Sequence, residues 1–251
     1  MVRLVDLVQL LDSHLEVAAF QDYCPNGLQI EGRSEVQRVV TGVTASQALI
    51  DAAIARDADA LLVHHGYFWK GESLPLTGIK GRRVASLMQR GISLLAYHLP
   101  LDAHPVHGNN QQLAEVLDLD VTGSMEGGGW SFGLTGQLRQ AWEARDLVVH
   151  LEQRLGQRPL HLQGHDRPIR TLAWCTGAAQ GGIVRAAELG VDAYISGEVS
   201  EQTLHQAREL GIDYFAAGHH ATERYGVKAL GGWLAANLGI ECEFVDIHNP
   251  V

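Results

Sequence analysis

Apolar residues along this chain follow two periods. Leu4, Leu7, Val8, Leu11 and Leu15 recur at three- and four-residue spacing, which predicts a helix over 4–17. A turn follows at Tyr23-Cys24-Pro25-Asn26-Gly27-Leu28, where Pro fixes φ and Asn-Gly accepts positive φ. Residues 28–31 and 38–43 read as short strands. A helix over 46–56 comes next, with Ser46 as N-cap and Ala48, Leu49, Ala52 and Ala53 on one face. The run Ala60 to Val63 reads as a short buried strand that ends in His64-His65-Gly66. Residues 66–80 read as a loop in which Tyr67, Phe68 and Trp69 either line a pocket or cover the core. A helix over 82–90 leads to a strand over 92–97, which runs into His98-Leu99-Pro100-Leu101-Asp102. A further helix spans 109–117.

Glu126-Gly127-Gly128-Gly129 interrupts the pattern and marks the best internal boundary. Beyond it, 131–139 reads as a strand, 142–155 as a helix and 159–163 as a strand. The first half then recurs. Leu172 to Gly177 resembles Val39 to Gly42, Leu189 to Glu198 resembles Asp57 to His65, and Gly211 to Ala216 resembles Gly91 to Ala96. The expected fold is therefore α/β, with two similar halves related by internal duplication. They cover 1–125 and 126–251, and the C-terminal helix and strand are free to pack back on the first half.

Composition narrows the class. The 251 residues carry a net charge of −10, which argues against broad duplex-DNA binding without excluding a locally basic channel. No apolar run approaches the roughly 20 residues of a membrane-spanning helix. The N-terminus has an acid at Asp6 and lacks a signal-peptide core. Cys24, Cys175 and Cys242 are far apart and form no CxxC pair, so reduced thiols and a cytoplasmic location are expected.

The chemistry collects at the carboxyl ends of the expected strands, where open α/β sheets bind ligands. His64-His65 stand at one such end. His98-x-x-x-Asp102 and His219-x-x-x-Glu223 stand at two others, in step with the repeat. An imidazole and a carboxylate four residues apart share a helix face and can meet one ion. Pro100, however, disfavours helix at Leu99 and leaves that geometry less certain in the first half. Together these positions supply four histidines and two carboxylates, the inventory of a dinuclear site for zinc, iron, manganese or nickel. His104 and His107 read as loop histidines, and His14, His150, His161, His165, His205 and His248 as surface residues. Gly177 to Gly182 follows a strand and its N–H groups can hold a phosphate; it is not a Walker A loop, because no Lys-Ser/Thr follows, and an ordinary glycine-rich turn is the preferred reading.

Tyr23 to Gln29, Val63 to Gly66, His98 to Asp102 and Gly218 to Glu223 together resemble the YbgI-like proteins of the dinuclear-metal family known as GTP cyclohydrolase I type 2. The resemblance runs nearly the full chain. It implies two α/β halves with the metal pair at the interface between them, and a toroidal homohexamer. It places the metal ligands at His64, His65, Asp102, His219 and Glu223, with two divalent ions per chain, and puts His98 close to the metals without touching them. The large domain that some relatives carry between the halves is absent. The leading reading is a metal-dependent hydrolase acting on a nucleotide or related heterocycle, with His98 shuttling a proton. The rival is a non-catalytic, ring-shaped metal-binding scaffold that engages a protein or nucleic-acid partner.

Overall fold

The computed structural model describes residues 1–126 and 132–251. In chain order the elements of the first part are β1 (Val2–Arg3), α1 (Leu4–His14), β2 (Gly27–Ile30), β3 (Glu35–Val36), β4 (Arg38–Thr44), α2 (Gln47–Ala55), β5 (Ala60–His65), α3 (Gly78–Arg90), β6 (Ser93–Ala96) and α4 (Leu99–Ala103). There follow α5 (Asn109–Val116), β7 (Asp120–Ser124), β8 (Leu134–Trp142), α6 (Ala144–Leu155), β9 (Leu160–Leu162), β10 (Ile169–Cys175) and α7 (Ile183–Glu188). The last are β11 (Ala193–Ser196), α8 (Glu201–Leu210), β12 (Asp213–Ala216), α9 (His219–Leu238) and β13 (Glu241–Phe244). The chain forms two compact units, 1–107 with 226–248, and 108–225 with 249–251. Most of the expected boundary Glu126 to Gly129, and the start of the strand expected over 131–139, lie outside the described residues; the described strand begins at Leu134.

The first unit is built on a five-stranded sheet ordered β13-β4-β5-β6-β2, parallel except for the edge strand β2. Its strands are apolar on both faces, as a covered parallel sheet requires. Alternation then sorts them. Val40, Leu61, Val63 and Leu94 pack with Leu49 and Ile50 of α2 and Leu87 of α3. Val39, Leu62 and Leu95 pack on the other face with Leu7 and Leu11 of α1 and Leu230 and Leu234 of α9.

The second unit has a six-stranded sheet ordered β7-β8-β10-β11-β12-β9. Leu172, Trp174, Ile195 and Phe215 face Leu113 of α5 and Leu147 and Leu151 of α6. Ala173, Tyr194 and Tyr214 face Ile183 of α7 and Ala207 of α8.

The duplication is visible in the pairing. In both units three parallel strands are flanked, beside the third, by an antiparallel strand that precedes them in the chain. The same polar fastenings recur. Asp59 Oδ2 accepts from the backbone N–H of Gln37 and Arg38 at 2.9 and 3.0 Å, and Asp192 Oδ2 from those of Arg170 and Thr171 at 3.0 and 2.9 Å. Ser93 Oγ accepts from Gly32 N at 3.0 Å, and Asp213 Oδ1 from Gly164 N at 2.7 Å.

This register corrects one expectation. Ser93 and Ala60 are paired as Asp213 and Ala193 are. Tyr97 N donates to Val63 O at 3.0 Å as Ala217 N donates to Ser196 O at 2.8 Å. Counting onward, His98 matches Gly218, and α4 starts at Leu99 where α9 starts at His219. The two His-x-x-x-carboxylate motifs are therefore one residue out of step. Pro100 also behaves differently from the expectation drawn from it. It falls in the first turn of α4, where an amide N–H would lack a helical partner anyway.

Two further elements differ from the sequence reading. The helix α3 begins at Gly78, inside the expected loop, because Gly78 and Gly81 hide its first turn from propensity. The strand β7 was not expected; its residues are mostly exposed, so no apolar alternation announces it.

Candidate metal centre

In the first unit, β5 delivers His64 and His65 to the carboxyl end of the sheet. His64 is fully buried; its Nδ1 donates to Tyr97 O at 2.9 Å, and its Nε2 lies 3.4 Å from Asp102 Oδ1. His65 is half-buried, with Nδ1 3.3 Å from Thr44 Oγ1. Although neighbours on a strand leave it on opposite faces, these two rings converge to a centroid separation of 4.5 Å. Gly66 permits the exit that follows: a Cβ there would collide with Gln29 Oε1 and come 2.6 Å from Ala96 Cβ. His98 stands between β6 and α4, its ring centroid 5.1 Å from His64 and 5.8 Å from His65. One nitrogen from each of these three rings lies within 4.8 Å of the others.

Asp22, which sequence reasoning missed, holds His98. Its carboxylate accepts from His98 Nδ1 at 2.8 Å, Leu99 N at 2.9 Å, Asn26 Nδ2 at 2.9 Å and Tyr23 N at 2.6 Å. Burial works against its charge, but these donors, His98 first, bring its pKa down to about 2. Asn26 Oδ1 accepts from His98 N at 2.7 Å, so the Pro-Asn-Gly turn is tied to the same point. A lone Asp ahead of a turn carries no periodic signal that would have singled it out.

The three aromatic residues after Gly66 divide. Tyr67 is buried and donates its hydroxyl to Ala45 O at 2.6 Å, so it belongs to the core. Phe68 also packs against the core, partly buried. Trp69 stands edge-on to His98, with centroids 4.9 Å apart.

In the second unit His219 opens α9 and Glu223 follows one turn later. His219 Nδ1 meets Glu198 Oε1 at 2.8 Å and its Nε2 meets Glu223 Oε2 at 3.0 Å. Burial opposes charge on this imidazole, yet Glu223 and then Glu198 raise its pKa to about 9. Glu198, also missed, follows β11 at the place His65 holds after the same count in β5. Gly177 has φ +66°, and a Cβ there would overlap the Glu223 carboxylate. The Gly177–Gly182 segment is thus shaped by Glu223 at its start. A single 3-10 turn over Gln180–Gly182 and a six-residue helix follow, which favours the ordinary-turn reading over a phosphate loop.

These residues fit a metal. His64 and His219 each have Nδ1 bound to a carbonyl or carboxylate, the arrangement that orients metal-ligating histidines so that Nε2 can face an ion. Carboxylates that hold a proton on His219 up to pH about 9 also suit a cation in its place. Mixed imidazole and carboxylate donors select borderline transition metals.

Several histidines expected at the surface are engaged. His161 stacks on Phe215 with centroids 4.6 Å apart, His165 Nε2 lies 2.9 Å from Asp192 O, and His150 Nε2 lies 3.0 Å from Leu117 O. His205 and His248 are exposed, as expected.

The chain is thus a mixed α/β protein of two sheet-rich units whose His, Asp and Glu clusters can hold metal ions. Among the described residues no helix is long and apolar enough to cross a membrane. The Duf34/NIF3 (NGG1p interacting factor 3) model matches residues 2–250, and the chain belongs to that family. It is 56% identical over 250 residues to a Pseudomonas aeruginosa protein named GTP cyclohydrolase 1 type 2 homolog, covering 99% of each chain. A Yersinia pestis protein of the same name is 54% identical, with 99% of this chain and 100% of the relative covered. Among solved structures, protein ybgI, titled as of unknown function, superposes with a TM-score of 0.96 at 49% identity over 100% of both chains. A Thermus thermophilus protein follows with a TM-score of 0.89 at 34% identity, again over 100% of both.

Proposed function

We propose that the chain is a dinuclear metal-dependent hydrolase acting on a nucleotide or related heterocycle. His64, His65 and Asp102 of the first unit and His219 and Glu223 of the second would be the ligands of two divalent transition-metal ions. When bound, such ions polarise the bond under attack and lower the pKa of water from about 15.7 to about 7. The observation that carries the reading is that His64 and His219 are each anchored through Nδ1, at 2.9 and 2.8 Å, with Nε2 beside a carboxylate, 3.4 Å from Asp102 and 3.0 Å from Glu223. The names of the relatives support a nucleotide substrate.

The chain's own residues have separable tasks. Tyr97 O and Glu198 hold two ligand rings in orientation. Asp22 holds His98, and an imidazole backed by a carboxylate can accept a proton at Nε2 and return it to a leaving group. Trp69 screens one side of His98 from water.

The test joins metal analysis to a turnover screen of purified, metal-loaded protein against nucleotides and phosphoesters. Turnover that disappears with His98→Ala supports the hydrolase. No turnover from fully loaded protein, with a protein or nucleic acid co-purifying, would favour a metal-binding scaffold instead.

A further inference from the structure

A second group of histidines lies in the first unit, outside the strand-end cluster. His14 ends α1, and His104 and His107 sit on the turn after α4. His104 and His107 lie in a loop as expected, but His104 is only 7% exposed, and one nitrogen from each of the three rings, His14 included, lies within 4.8 Å of the other two. The local chain explains the gathering: His104-Pro105-Val106-His107 closes a turn that returns the second ring beside the first, with centroids 5.2 Å apart.

The three rings have different tasks. His104 Nδ1 accepts from the backbone N–H of Val106 at 3.1 Å and of His107 at 2.9 Å. A ring nitrogen that accepts these bonds carries no proton, so the neutral ring keeps its proton on Nε2. His104 is thereby committed to holding the turn. His14 Nε2 and His107 Nδ1 lie 3.1 Å apart in a hydrogen bond in which one nitrogen carries the proton, and an ion would take that proton's place. The His14 ring lies flat on Trp233, with centroids 3.8 Å apart and planes 9° from parallel. The His14 ring is therefore oriented from outside the pair, and the backbone of His107 is held by His104. Two imidazole nitrogens on one ion, at bonds of about 2.0–2.1 Å, stand about 2.9 Å apart for a right angle and about 3.4 Å apart for a tetrahedral one. The observed separation falls between these limits.

We propose that His14 Nε2 and His107 Nδ1 form an accessory site for a borderline divalent metal ion such as nickel, copper or zinc. Water completes the coordination, and His104 positions His107. An imidazole pair without a carboxylate selects against magnesium and calcium. The site does not depend on the hydrolase reading, because it shares no ligand with the strand-end clusters.

Nickel is the probe. Equilibrium dialysis of the full chain against Ni²⁺ is expected to give one more ion per chain in the wild type and in His205→Gln, an exposed-histidine control, than in His14→Gln or His107→Gln. Melting curves establish that each variant is folded. In the wild type, NMR should show Ni²⁺ broadening the Trp233 indole N–H, identified by its absence in Trp233→Phe. Equal Ni²⁺ content in the four folded proteins would overturn the site. So would an unbroadened Trp233 signal at saturating Ni²⁺, a result that needs no histidine variant to fold.

Discussion

Glu223 is seated against the α-carbon of Gly177: a Cβ at that position would overlap its carboxylate and lie 3.1 Å from His219 Nε2. Gly177 also has φ +66°, a region that side chains disfavour. Two independent constraints thus fall on one residue. Gly177→Ala is expected to cost about 1–3 kcal/mol in backbone strain and to displace Glu223. Thermal melts and metal analysis check this together. A stable variant with normal metal content would show that Glu223 needs no such cradle.

Metal content itself is the next expectation. Five proposed ligands exceed what one tetrahedral ion takes and suit two ions with open positions. Protein purified without chelator should approach two transition-metal ions per chain at the strand-end ligands, counted in a His14→Gln background. Glu223→Gln keeps the size and removes the charge, so at least one ion should be lost with the fold intact. Saturation at a single ion in the parent would end the dinuclear reading; full occupancy in the variant would remove Glu223 from the ligand set.

Metal uptake should release a proton from His219. Its pKa stands at about 9 because two carboxylates outweigh burial. A ligating histidine must give up that proton. Affinity is therefore expected to fall as pH drops below about 9. Calorimetry in buffers of different ionisation enthalpy should show about one proton released per chain near neutrality. A buffer-independent enthalpy would mean that His219 is neutral before binding, or no ligand.

His98 and His219 should respond differently to removal. The strand register matches His98 with Gly218, so no symmetry requires His98 to be a ligand. His98→Ala is expected to keep both metals and lose turnover, while His219→Ala loses metal. Asp22→Asn should follow His98→Ala at lower severity, with about a 10- to 100-fold loss of activity and an altered pH profile. Equal metal loss in the two histidine variants would make His98 a ligand.

The duplicated aspartates predict an acid limb. Burial works against charge on Asp59 and Asp192, but backbone N–H donors and other polar partners outweigh it, and both pKa values lie below the ordinary one. A carboxylate with a depressed folded pKa stabilises fully above its unfolded pKa, and that stability is lost as pH falls through the folded value. Stability should therefore decline below pH about 4. Asp59→Ala and Asp192→Ala should each cost about 2–3 kcal/mol at neutral pH and flatten that decline, as chemical denaturation across pH would show. Markedly unequal costs would mean the two fastenings are not equivalent.

Periodicity alone placed most of the elements, because strands such as Ala60–His65 are buried on both faces and helices such as Leu4–His14 carry a clear apolar stripe. The strand-end histidines were legible for the same reason: a buried run that ends in His-His has one open end to place them at. Asp22 was not legible, because its reach to His98 across 76 residues leaves no local pattern. Glu198 stood opposite His65 in the repeat, but the repeat alone does not show that its carboxylate reaches His219. The one-residue shift was present in the sequence, where the match of Gly211 to Ala216 with Gly91 to Ala96 carries His98 onto Gly218, but the equal spacing of the two motifs masked it until strand pairing fixed the count. The His14–His104–His107 group depended on the same kind of distance. A helix end and a turn some 90 residues later meet because the core packs them together, and packing is a property of the folded chain.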